Sequence, residues 1–136
     1  MSALELPRDI YERMIAQARE GSPLEVCGVL GGKGCVVSAI YPMTNTDAGG
    51  EHFMMDPREQ FATVKELRFR GLEMLAVYHS HPATPARPSG EDIRLALTPG
   101  ISHVIVSLAA PLAPEVRSFK IAGGKVGPEE LWIIRD

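Results

Sequence analysis

From Leu72 to Asp92 the chain reads LEMLAVYHSHPATPARPSGED. Leu72 to Tyr78 is apolar almost without a break, the pattern of a strand covered on both faces at the centre of a sheet. That strand delivers His79 at its end. Three prolines between His81 and Ser89 exclude a helix or an interior strand and leave a stiff connecting loop, where chemistry often resides. From Ser89 a helix is expected through Ile93, Ala96 and Leu97 to Pro99-Gly100.

The flanking sequence fits elements around this strand. From Pro7 to Glu20, Ile10, Tyr11, Met14, Ile15 and Ala18 recur at helical spacing, and Gly21 stands where a left-handed C-cap belongs. VCGVLGG and CVVSAIY, joined through a glycine-flanked Lys33, predict a hairpin over about 25 to 41. PMTNTDAGG is turn-rich, and HFMMD could add a short strand. Asp56 as cap, Pro57 in the first turn and Glu59 as partner in a capping box open a helix whose Phe61, Val64 and Leu67 share a face, with Gly71 as its stop. HVIVSL, VRSFKI and LWII read as strands. The expected order is α-β-β-(β)-α-β-α-β-β-β, without internal repeat or linker, so helices packed on a central mixed sheet are the simplest architecture.

At 136 residues the chain has the size of one domain and needs no disulfide or structural metal to fold. Its 45% hydrophobic and 23% charged residues are those of an ordinary globule. A net charge of −3 supplies no basic footprint, so nucleic acid and anionic lipid are not expected partners. No signal-peptide core or transmembrane stretch is present, and Cys27 and Cys35 form no C-x-x-C pair, which points to a reducing cytoplasm. The two thiols read as small apolar filler in strands.

In His79-Ser80-His81 the imidazoles leave the same face of the strand, roughly 6.5 to 7 Å apart at the backbone. Two rings so placed can converge on one cation, and a catalytic zinc wants three protein ligands and an open position. With four histidines in 136 residues an H-x-H arises by chance about 0.12 times, so the motif alone leaves metal binding open. Asp92, eleven residues beyond His81, is a local candidate for the third ligand. It also fits a helix start capped by Ser89, and the two roles are compatible because a carboxylate has two oxygens. His52 and His103 stand singly at the edges of strand-like segments and read as hydrogen-bonded or surface histidines. Physical reasoning cannot choose a general base among the glutamates. Glu25 is distinguished only by preceding the apolar VCGVL, where burial raises the proton affinity of a carboxyl.

Taken together, Glu25, His79-Ser80-His81, seven residues from Pro82 to Pro88, Ser89, two residues and Asp92 resemble the full JAMM (MPN+) signature E…H-S/T-H-x7-S-x2-D. EVCGVLGG after Glu25 and FMMDP before the middle helix extend the likeness over nearly the whole chain. The resemblance implies a cytidine-deaminase-like three-layer α/β/α sandwich around a mixed sheet, and hydrolysis of amide or isopeptide bonds. It implies one zinc ion on His79, His81 and Asp92, Glu25 as general acid/base, and Ser89 as stabiliser of the tetrahedral intermediate. For a compact, prokaryotic-type member it implies a ubiquitin-like or sulfur-carrier protein with a Gly-Gly tail as substrate, its tail laid along the edge of strand 26 to 31 by strand addition. Two rivals keep other classes open: a non-catalytic MPN-type scaffold, and a non-haem iron protein, since two histidines and a carboxylate also make a facial triad. A serine nucleophile is disfavoured, because neither Ser80 nor Ser89 lies in a recognisable elbow.

Overall fold

A computed structural model describes residues 3–47, 53–94, 96 and 100–135. In chain order the elements are β1 (Ala3–Pro7), α1 (Arg8–Gly21), β2 (Cys27–Lys33), β3 (Val36–Met43), α2 (Pro57–Phe69), β4 (Glu73–His81), α3 (Gly90–Arg94), β5 (Ser102–Ser107), β6 (Glu115–Ala122) and β7 (Lys125–Ile134). The strands form a mixed sheet in the order β1-β3-β2-β4-β5-β6-β7, closed into a barrel by parallel pairing of β1 with β7 and a single-residue parallel contact with β3, Glu5 against Val36.

The mixed sheet with helices is as the resemblance implies, its strands close into a barrel, and the element not expected from sequence is β1. Ala-Leu-Glu-Leu-Pro alternates with period two, burying Leu4 and Leu6 and exposing their neighbours more. Helices do lie on both faces of the central strands. Ile10, Met14 and Ala18 of α1 pack with Leu30, Ala76 and Tyr78, whereas Leu67 of α2 packs with Cys27 and Val29 from the opposite pleat. Fully buried side chains such as Leu6 and Met14 contribute roughly 1.5–3 kcal/mol each through removal of apolar surface from water.

β4 lies between β2, antiparallel to it, and β5, parallel to it, as its apolar run predicts. The antiparallel partner needs no long connection, but the parallel one requires a crossover, and residues 82–101 supply it. The strand extends through His81, so both histidines belong to the ladder.

Several local expectations give way to tertiary packing. Gly21 is the last helical residue and has no left-handed backbone; a β-carbon there would stand 2.2 Å from a Val26 methyl, so it is close approach that needs glycine. Gly71, by contrast, has φ +69° and stops α2 as expected. Asp56 caps α2 through Arg58 N–H, but Glu59 turns away and accepts from the Thr44 N–H and hydroxyl. Phe61 is exposed, and the buried residues of α2 are Thr63 and Leu67. Phe53 to Asp56, the described residues of HFMMD, form no strand; Met55 bridges Asn45 singly, and His52 lies outside the described residues. α3 is described only to Arg94, and Ala96 is already non-helical, its N–H meeting the Ile93 carbonyl three residues back. Cys27 is the buried filler expected, whereas Cys35 sits in the hairpin turn, exposed, with its thiol donating to Glu5. Both are free. β2 is hydrogen-bonded on both sides, to β3 and β4, so the expected groove along 26 to 31 has no free edge to offer a tail.

Candidate functional site

His79 and His81 leave β4 on one face at the carboxyl end of the parallel β4–β5 pair, opposite Ile105 and Ser107. Both are buried, at 2% and 4% exposure. The crossover loop returns over this end because three contacts hold it down. The Pro85 carbonyl accepts from the His81 ring, the Ser107 hydroxyl donates to the Thr84 carbonyl, and Ala86 is buried against Ile105 and Phe119. The loop then starts α3, where Ser89 and Asp92 bond reciprocally: Ser89 N–H donates to Asp92 Oδ2 at 2.9 Å, and Asp92 N–H to Ser89 Oγ at 3.0 Å. This is the serine box expected from sequence, and it aims Asp92 back at β4.

The three side chains come together. His79 Nε2 lies 3.1 Å from His81 Nε2 and 3.1 Å from Asp92 Oδ2, and His81 Nε2 lies 3.2 Å from the same oxygen. Among the described residues these form the group able to hold a metal ion, and His103 is outside it. His81 Nδ1–H donates to the Pro85 carbonyl at 2.9 Å, which fixes the tautomer that turns the Nε2 lone pair toward Asp92. Two imidazole nitrogens and a carboxylate oxygen at these separations suit a single ion with ligand distances of roughly 2.0–2.2 Å, as for zinc. The donor set therefore fits the metal.

The electrostatics follow from burial and from Asp92. Burial lowers the proton affinity of His79 below the ordinary imidazole value despite the bond to Asp92. Burial also acts against the protonated ring of His81, but the Asp92 and Pro85 hydrogen bonds and the fields of Asp92 and Glu25 outweigh it, and its pKa is raised. Burial pushes the Asp92 carboxyl up, yet the two imidazoles and the Ser89 N–H hold it well below the usual carboxylate range. Burial lowers His103 too, and its Nε2 has no hydrogen-bond partner among the described residues.

Glu25 lies in the two-residue approach to β2 and is 5% exposed. Cys27 faces His79 in the ladder, and the next pair out is held by Ser80 N–H to the Val26 carbonyl at 2.9 Å and Val26 N–H to Ser80 Oγ at 2.8 Å. Ser80 thus ties the strands together, as its alternation away from the histidines suggests, and the register carries Glu25 toward His81. The Asn45 side chain donates to the Glu25 carbonyl at 2.9 Å and accepts from Met54 N–H at 3.0 Å, clamping the Glu25 approach to the segment before α2. On that segment Phe53 stacks on His79, ring centroids 4.4 Å apart and planes 22° from parallel. Neither Asn45, Phe53 nor the Pro85 carbonyl carries a sequence signal of its role; each lies in turn-rich or proline-rich sequence where spacing says little.

Relatives define the context of this arrangement. The CysO-cysteine peptidase of Mycobacterium tuberculosis is 34% identical over 133 residues, covering 96% of this chain and 91% of the relative. The desampylase of Haloferax volcanii is 34% identical over 113 residues, covering 78% and 81%. The solution structure of protein DSY2949 from Desulfitobacterium hafniense matches with a TM-score of 0.90 at 47% identity, covering 98% of this chain and 94% of that one. Residues 7–122 match the family described as prokaryotic homologues of the JAB domain. With that match across most of its length, the chain belongs to the prokaryotic JAB family and is a JAMM-type peptidase or isopeptidase.

Proposed function

We propose that the chain, acting as one domain over 1–136 in the cytoplasm, is a zinc-dependent hydrolase that cuts the amide or isopeptide bond at the Gly-Gly tail of a ubiquitin-like or sulfur-carrier protein. The observation that carries the metal reading is the triangle of His79 Nε2, His81 Nε2 and Asp92 Oδ2, with sides of 3.1–3.2 Å. The substrate class is supported by relatives named for CysO-cysteine cleavage and for desampylation.

His79, His81 and Asp92 would hold the ion. When bound, it supplies Lewis acidity toward the scissile carbonyl and brings a water's pKa toward neutrality. Glu25, buried beside the site, takes the proton of the attacking water and returns it to the leaving amine, so the same carboxyl serves as base and then acid. Ser89 Oγ accepts from Asp92 N–H, and its own hydroxyl proton can be donated to the negative charge growing on the carbonyl oxygen. His81 keeps its orientation through the Pro85 carbonyl while this happens.

The test combines metal content with turnover. Elemental analysis is expected to find about one zinc per chain, and the loaded protein to release a carrier protein from a Gly-Gly-linked adduct. Glu25→Gln is expected to keep its zinc and lose roughly 10²–10⁴-fold in rate. Stoichiometric iron in place of zinc would favour a facial-triad protein. A zinc-loaded chain that leaves every carrier adduct uncut, with Glu25→Gln indistinguishable from wild type, would favour the scaffold.

A further inference from the structure

The two histidines on β4 are held by different means. His81 anchors its far nitrogen on the Pro85 carbonyl, but His79 Nδ1 is buried without a hydrogen-bond partner among the described residues. Histidines that ligate metals usually fix ring orientation through that second nitrogen. His79 has instead the Phe53 ring against its face, at 4.4 Å and 22°. An aromatic contact of this kind restrains rotation of the imidazole about its two side-chain torsions.

Phe53 is itself fixed. Its neighbour Met54 is bonded through N–H to Asn45 and through its carbonyl to the Thr46 N–H at 2.8 Å, Met55 bridges Asn45, and Phe53 packs into the cluster of Met43 and Met55. The stack is therefore carried by a segment whose neighbouring hydrogen bonds run to Asn45 and Thr46 and not to β4.

We propose that Phe53 is a positioning residue for the metal centre, holding the His79 ring so that Nε2 faces His81 and Asp92, in the role that the Pro85 carbonyl fills for His81. This rests on the reading of the three side chains as a metal site. It predicts that an aromatic ring at 53 matters for metal affinity, and that aliphatic bulk cannot replace it.

The test measures zinc affinity by competition with a chromophoric chelator, and the visible absorption bands of the cobalt-substituted protein, in Phe53→Ala, Phe53→Leu and Phe53→Tyr of the full chain. Metal-free thermal melting accompanies each. Phe53→Ala and Phe53→Leu are expected to bind zinc roughly 10- to 100-fold more weakly and to alter the cobalt bands, while Phe53→Tyr stays close to wild type in both. Should Phe53→Leu match wild type, the residue is packing only and the proposal fails. It fails equally if Phe53→Ala raises KM for the adduct with zinc affinity and cobalt bands unchanged, since Phe53 would then touch substrate. A wild type that takes up no zinc overturns the metal-centre reading and this inference together, whereas a wild type that binds zinc no better than Phe53→Ala overturns the inference alone.

Discussion

The two walls of the site are built on opposite principles. On one side His79 and His81 stand in a strand paired on both flanks, their spacing set by the pleat and their backbones tied to β2 and β5. On the other, Asp92 stands at the start of a five-residue helix, oriented by one serine and delivered by a loop that touches the barrel at a few points. The strand wall inherits its precision from the core, while the loop wall makes its own from local hydrogen bonds. Damage to the first should be all-or-none in metal binding, and damage to the second graded.

The largest effect should come from the strand wall. His81→Ala is expected to lower zinc content from about one per chain to near zero and to abolish turnover, checked by elemental analysis and adduct cleavage. Gly28→Ala probes the packing beneath the same wall, since a β-carbon there would stand 2.3 Å from the Tyr78 ring and hydroxyl. Overpacking of this kind is expected to destabilise the fold by about 1–3 kcal/mol in chemical denaturation. On the loop wall, Ser89→Ala removes the hydroxyl that accepts from Asp92 N–H and, in the proposed mechanism, donates to the carbonyl oxygen, while the Ser89 N–H bond to Asp92 Oδ2 is kept. Turnover is expected to fall by roughly 10²-fold, with zinc still present at saturating concentration. Full wild-type turnover in that variant would erase the distinction between the walls.

The smallest effect is in pH dependence, where the two strand histidines should separate. His79 has a lowered folded pKa, so the stability it contributes is present above the ordinary imidazole value and lost as pH falls through that value toward the folded one. His81 has a raised folded pKa, so its contribution is present below the ordinary value and lost as pH rises through the folded one. Asp92, lowered, stabilises above the ordinary carboxylate range and loses that effect in stronger acid. In the metal-free protein, NMR titration of the two rings should therefore show His81 protonating at higher pH than His79. Melting temperature of the metal-free protein should pass through a maximum near the ordinary imidazole value, falling on the acid side as His79 becomes protonated and on the alkaline side as His81 loses its proton, with a further fall in stronger acid as Asp92 is protonated. The reverse order of ring titration would contradict the contrast between His81, with its Pro85 hydrogen bond and the Glu25 field, and His79, which has neither.

Much of this was legible in the sequence because it depends on local chemistry. The apolar run before His79 marks a strand paired on both sides, the period-two spacing puts two imidazoles on one face, and Ser89 with Asp92 announces its own hydrogen bonds. β1 was not anticipated, since a five-residue alternation becomes a strand only when β7 arrives to pair with it. The spacing puts Phe61 on one face of α2 with Val64 and Leu67, yet Phe61 is exposed and the buried residues of the helix are Thr63 and Leu67. The edge of β2 that the sequence leads one to expect is occupied by β4, which lies far along the chain. Phe53 and Asn45 escaped for the same reason, as their partners are distant and nothing in their immediate sequence names them.

The pairing of β1 with β7, Leu4 beside Leu131, has a consequence for biosynthesis. On the ribosome β1 emerges long before this neighbour exists, and its ladder with β7 cannot form until β4, the crossover and the later strands have been translated. Premature release of the nascent chain before β7 would leave the barrel open at its seam, a form suited to chaperone capture rather than to activity.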